Sequence, residues 1–326
     1  MTATDLFSRL ATRTQAWNFF HWYWGDAIAV DGLLLAGEHD QSGAYDRAVR
    51  LVRHWATAAP DSDDDVLAPG RAIVELVSRG EVERQAVDRF MMAVDRLPVL
   101  TSGMPLLEPH RPLFRFGVCI DALYHLPVAI AAYGRLVEDE RRLTAAVQMS
   151  ISTMDLLRCD GGWAHWYDAA RDENNAIPWS RGAGWALLGL LDLLDVIDGI
   201  DGAEKIAGLA VEVLDTLAQT QADDGDWPGI LGDDHALTET STAAFFVAGA
   251  LHPRAREHWQ APDSVLDRAM AAVERSVDES GIAHGVSADM LPEWARLPYQ
   301  VFRCEPSPWG QGAALRAAAA IRDRVA

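Results

Sequence analysis

Apolar residues recur with a helical period along almost the whole chain. Over 43–57, Tyr45, Ala48, Val49, Val52 and Ala56 share one face and arginines occupy the other. The stretches 82–97 (Val87, Phe90, Met91, Val94), 139–157 (Leu143, Val147, Ile151, Met154) and 262–278 (Leu266, Ala269, Met270, Val273, Val277) repeat the arrangement. Each predicts a helix with one buried stripe. Segments near 25–37, 69–79, 118–134, 182–198, 239–251 and 309–325 differ: they are rich in Gly, Ala and Leu and apolar over most of their circumference. A glycine inside a helix costs about 1 kcal/mol relative to Ala, a cost tolerated where backbones pack closely. These segments therefore predict inner helices, with the striped ones outside them. Helices near 4–16 and 201–220 bring the count to twelve, alternating inner and outer. The pattern predicts an all-α (α/α)6 barrel, a toroid of six helical hairpins, forming one domain over 1–326. No segment alternates with period two, so little β-structure is expected.

Composition narrows the function. Hydrophobic residues make up 49% of the 326, enough for a sizeable core. Net charge is −20 and Lys205 is the only lysine, the reverse of the cationic surface that nucleic acid requires. The three cysteines, Cys119, Cys159 and Cys304, show no CxxC spacing and read as packing residues, not as a disulfide framework. No apolar run approaches the ~18 residues that would span a membrane. MTATDLFSRLATRTQ lacks a basic patch followed by an apolar core, so a soluble cytoplasmic protein is expected.

Unusual residues collect just before the inner helices. Asp26 opens the first, the DDDVLAPG run with Asp65 precedes the second, and Asp121 opens the third. WSRGAGW leads into the fourth, TETSTAA into the fifth and SPWGQG into the sixth. If the inner helices are parallel, all six openings share one rim, where free backbone N–H groups and helix dipoles favour anions. Twelve tryptophans, several in these loops, suggest indole faces for flat ligands. Asp121 heads an apolar run that leaves little room for a charge, so its carboxylate is either a helix cap or a working group. Asp65 has the same two readings, and Glu239 with Thr240 and Ser241 reads as a plain N-cap. His165 is crowded by aromatics, and Arg181 lies among tryptophans and glycines. There is no HExxH, zinc-spaced Cys–His cluster, EF-hand loop, dinucleotide fingerprint or GxSxG elbow, so neither a metal nor an organic cofactor is expected.

CIDALYHLP, GGWAHWYD, WSRGAGW and TETSTAAF, in that order, resemble the signature segments of glycoside hydrolase families 88 and 105. VLAPGRAIVEL and WGQGAALRAA extend the resemblance over most of the chain. It implies an (α/α)6 barrel that hydrates the C4=C5 vinyl ether of a terminal unsaturated uronic acid on an oligosaccharide. By resemblance Asp121 is the proton donor and Asp65 the second carboxylate. His165, Trp179, Arg181 and Trp185 match substrate-contacting positions, and Arg111 stands where relatives often carry Lys. An arginine suits a uronate carboxylate, which it can bind with two parallel hydrogen bonds. Three positions depart from the family pattern: Ala183 for Asn, His125 for Met and Cys119 for Trp. These leave open a saturated glucuronidase, an inverting glycosidase, a sugar epimerase or a non-catalytic carbohydrate-binding scaffold.

Overall fold

A helix sheathed on every side must be apolar or have its polar groups paired on every side, and in the stretch Ser180–Leu194, apolar but for Ser180, Arg181 and Asp192, all fifteen residues are buried. The computed structural model describes residues 2–19, 24–39, 41–57, 70–100, 103–106 and 115–325. Its helices in chain order are α1 (Ala3–Gln15), α2 (Trp24–Glu38), α3 (Ser42–Thr57), α4 (Gly70–Ser78) and α5 (Arg84–Val94). Next come α6 (Ala122–Val137), α7 (Glu140–Leu157), α8 (Ser180–Leu194), α9 (Ala203–Gln219) and α10 (Thr240–Ala250). The last are the short α11 (Pro253–His258), α12 (Asp263–Ser276), the short α13 (Leu297–Gln300) and α14 (Pro308–Val325). Helices α2, α4, α6, α8, α10 and α14 touch in that order, and α14 closes back on α2. Around this ring stand α1, α3, α5, α7, α9 and α12, each packed on an inner neighbour. The expected (α/α)6 barrel is the fold.

The outer helices bury the stripes read from the sequence, with Val87, Phe90, Met91 and Val94 of α5 all inside. The inner helices approach each other closely. A Cβ on Gly189 of α8 would lie 2.3 Å from the Leu123 carbonyl oxygen of α6. That carbonyl is the one Pro127, inside α6, leaves without its intrahelical N–H partner. Glycine at 189 lets the second backbone cover the carbonyl that proline frees.

One predicted boundary moves. The third inner helix starts at Ala122, because Gly117–Cys119 forms strand β1 instead. The remaining strands are β2 (Arg158–Cys159), β3 (Gly162–Trp163), β4 (Trp166–Asp168) and β5 (Glu173–Asn174). They make a three-stranded sheet in the order β1-β4-β5 and a β2-β3 hairpin. In the sheet Cys119 pairs with Trp166, and the Ile120 N–H donates to the His165 carbonyl at 3.1 Å. Gly117 is required there, since a Cβ would run into the Trp166 ring. The sheet thus fixes the start of α6 against the loop that carries His165.

Candidate active site

Asp121 occupies the N-cap position of α6 but does not cap it: its backbone is αR and its side chain accepts no capping hydrogen bond. The residue is half-buried, and its Oδ1 is sealed from solvent without a hydrogen-bond partner among the described residues. Burial is the main force raising its pKa from the ordinary carboxylate value to about 7. Arg181 opposes that rise and the negative charge of Asp289 adds to it. Asp121 is therefore a carboxyl that exchanges its proton near neutrality.

His165 is buried beside it. Its Nδ1 lies 2.7 Å from the Tyr299 hydroxyl, and its ring meets Trp179 at a centroid distance of 4.1 Å. Burial, followed by the nearby Arg181 charge, lowers its pKa to about 3, so the imidazole is neutral. Tyr299 is a hub: its hydroxyl also receives the Glu293 N–H at 3.1 Å and the Asn175 amide at 3.2 Å.

Arg181, in the first turn of α8, has no exposed surface. One η nitrogen donates to the Ser287 carbonyl and hydroxyl, both at 2.6 Å, and the other reaches the Ala288 carbonyl at 3.3 Å. Its Cζ lies 4.7 Å from the Trp179 ring centroid and 5.5 Å from that of Trp309. Glu239, also fully buried, balances the charge at 3.5 Å and binds the Ser287 hydroxyl and N–H. Glu239 is the N-cap of α10, as its sequence suggested, through the Ser241 N–H at 3.3 Å. The rim it shares with Asp121 joins the starts of α6, α8, α10 and α14.

Asp121, His165, Trp179 and Arg181 lie together at this rim. Trp185 sits deeper, wholly buried against Tyr124, His125, Trp24 and Phe245. Asp65 and Arg111 lie outside the described residues. The tryptophans read as ligand platforms are mostly interior: Trp163, Trp179, Trp185 and Trp227 are at most 1% exposed. Sequence reasoning missed Asp289 and Tyr299. Asp289 lies in the loop that follows α12 and Tyr299 in the short α13, where no recurring motif marks them.

A second polar cluster lies deeper in the barrel. Tyr124 donates to Asp31 at 2.5 Å and receives Arg316 at 3.0 Å. Arg316 holds both oxygens of Asp192, at 2.7 and 2.8 Å, and Arg71 pairs with the same carboxylate. Beyond it a cavity of about 480 Å³ opens at the C-terminal ends of the inner helices. Asp192, Asp195 and His252 there have ligand atoms within 4.8 Å of one another, but the two arginines already neutralise Asp192.

The ring of helical hairpins, with carboxyl, imidazole and guanidinium gathered at one end, is the architecture of an (α/α)6 glycoside hydrolase. The model of Glycosyl Hydrolase Family 88 matches residues 9–323, and the chain belongs to that family of enzymes. Among solved structures, a possible member of family 105 from Salmonella enterica serovar Paratyphi A superposes with a TM-score of 0.85 at 16% identity, covering 99% of this chain and 94% of that one. A family 105 glycoside hydrolase of C. acetobutylicum gives 0.83 at 16% identity, with 98% and 99% covered. The unsaturated glucuronyl hydrolase of Bacillus sp. GL1 gives 0.74 at 14% identity, with 97% and 94% covered. No curated protein matches the sequence. No helix among the described residues is long and apolar enough to cross a membrane.

Proposed function

We propose that this glycoside hydrolase removes terminal unsaturated uronic acid residues from oligosaccharides by protonating and hydrating the C4=C5 vinyl ether. The observation that carries the reading is the uncapped, half-buried Asp121, whose Oδ1 is sealed from solvent and whose pKa burial raises to about 7. Delivering a proton to carbon needs an acid still protonated near working pH, which an ordinary aspartate, at about 3.9, is not. Asp121 gives its proton to C4, and the π pair becomes the C4–H bond. The cation left at C5 is stabilised by the ring oxygen. Water bonds to C5, and the proton it sheds returns to the Asp121 carboxylate. The C5 hemiketal opens by breaking the bond from C5 to the ring oxygen, which takes the hydroxyl proton and stays on C1. The C1 hemiacetal so formed collapses to an aldehyde and releases the aglycone as its alcohol.

Asp65 serves in this proposal as the second carboxylate and Arg111 as the cation for the uronate. His165 and Arg181 act as positioning residues, because His165 is held by the Tyr299 hydroxyl and Arg181 by the Ser287 and Ala288 carbonyls, with the Trp179 ring packed against both. Trp185 supports the floor beneath them. The reading draws support from the names of relatives with the same fold, which include an unsaturated glucuronyl hydrolase specific for heparin and a complex with the tetrasaccharide dGlcA-Glc-Rha-Glc.

The test is to incubate the enzyme with unsaturated disaccharides and follow absorbance and product mass together. Hydration removes the conjugated chromophore and adds water. Glycosidic cleavage that leaves the chromophore intact, or turnover with unchanged mass, would replace this reading with direct displacement or epimerisation.

A further inference from the structure

Resting on that reading, we propose that the segment from Ser287 to Leu297 forms an aglycone subsite, with Trp294 as its platform, for an uncharged sugar presenting an apolar ring face. The segment is anchored at both ends beside the catalytic groups. Arg181 holds the Ser287 and Ala288 carbonyls, and the Ala288 N–H donates to Arg303 at 2.8 Å. At the other end the Glu293 N–H meets the Tyr299 hydroxyl at 3.1 Å, and Asn175 donates to the Glu293 carbonyl at 2.8 Å. Since the same hydroxyl touches His165, Trp294 begins two hydrogen bonds from the imidazole.

Its side chains contrast with the rest of the surface. Of the eight exposed large apolar residues among those described, Leu291, Trp294, Leu297 and Val301 lie on or just after this segment, and Leu237 is hydrogen-bonded to Gln300 beside it. Trp294 is 39% exposed, whereas every other described tryptophan is buried or half-buried. Its indole is braced: the Arg171 Cζ stands 4.6 Å from the ring centroid, and Arg171 is itself held by Asp168 at 3.6 Å. A fixed and exposed indole at the mouth of a sugar site offers a stacking face at little entropic cost. With the uronosyl ring at Asp121, the group attached to C1 is the part that leaves along this mouth. The guanidinium groups nearby are already paired, Arg171 with Asp168 and Arg296 with Asp233 at 3.0 Å, so the exposed Asp289 and a net charge of −20 disfavour sulfate or carboxylate on that group.

The experiment compares unsaturated glucuronides whose aglycone is methyl, a neutral sugar or a sulfated sugar, followed by loss of absorbance. In the wild type the neutral sugar should give the highest kcat/KM. Trp294→Ala should lower its ratio to the methyl glycoside about 3- to 10-fold, the scale of one stacking contact, with most of the change in KM. Trp294→Phe should restore most of the ratio. Methyl and neutral-sugar substrates turned over equally, a ratio unmoved by Trp294→Ala, or preference for the sulfated substrate would each overturn the subsite while leaving the hydration reading standing. No bleaching of any of the three would overturn the hydration reading, and the subsite with it.

Discussion

Asp121 keeps its proton because the fold seals Oδ1 from water and, among the described residues, gives it neither a capping bond nor a paired cation. Arg181 is close enough to pull its pKa down, yet Glu239 already balances that charge, and burial wins. An acid working through its protonated form should lose activity as pH rises through about 7, where an unperturbed aspartate would have lost it near 3.9. The descending limb of kcat/KM against pH for an unsaturated disaccharide checks this; a limb below pH 5 would contradict it. For stability, the folded protein retains a proton on Asp121 that the unfolded chain releases above the ordinary carboxylate value. The contribution of Asp121 to stability therefore declines from that value up to about 7. Asp121 and Arg181 could be picked out in the sequence, since a charge within an apolar run must be accommodated. Whether the accommodation was a cap, a pair or a sealed acid could not be read there, because it depends on contacts from Glu239, Ser287 and Asp289, far along the chain.

At the scale of elements, the alternation of striped and all-round apolar segments carried the helix assignment, and twelve helices fall where periodicity placed them. The hairpins around β4 were not legible. Strands of two or three residues are too short to alternate, and Gly117 marks its strand only through the Trp166 ring lying across it. The paired Pro127 and Gly189 are a contact that composition hinted at but could not locate. A Cβ at 189 would press on the Leu123 carbonyl and the Tyr124 nitrogen, backbone atoms that cannot swing aside as a side chain can. Gly189→Ala should therefore destabilise the fold by about 1–3 kcal/mol, measured by urea unfolding. It should also lower kcat, because the displaced backbone is the first turn after Asp121. Unchanged stability would mean that α6 and α8 are less closely packed than described.

For the whole molecule, the closed ring follows from the pattern of inner and outer helices, while the ionic layer inside it does not. Asp31, Arg71, Asp192 and Arg316 sit on four different helices, and each alone resembles an ordinary polar residue in an apolar run. The paired arginines hold Asp192 well below the usual carboxylate range despite its burial. Its contribution to stability is therefore present above the ordinary aspartate value and lost as pH falls below it towards the depressed one. Asp192→Asn leaves the buried Arg316 and the half-buried Arg71 without that anion and should cost about 3–5 kcal/mol at neutral pH, measured by chemical denaturation; a change under 1 kcal/mol would show that the layer does not hold the ring together. The ring and its ionic layer hold the rim on which Asp121 stands, so the decisive measurement is made on that carboxyl. Asp121→Asn preserves size and much of the hydrogen bonding, and as a cap Asn is the equal of Asp. Followed by loss of the ultraviolet absorbance of an unsaturated disaccharide, the folded variant should bind substrate and turn it over about 10²–10⁴-fold more slowly than the wild type. A folded Asp121→Asn enzyme that bleaches the chromophore at the wild-type rate would contradict the assignment of Asp121 as proton donor.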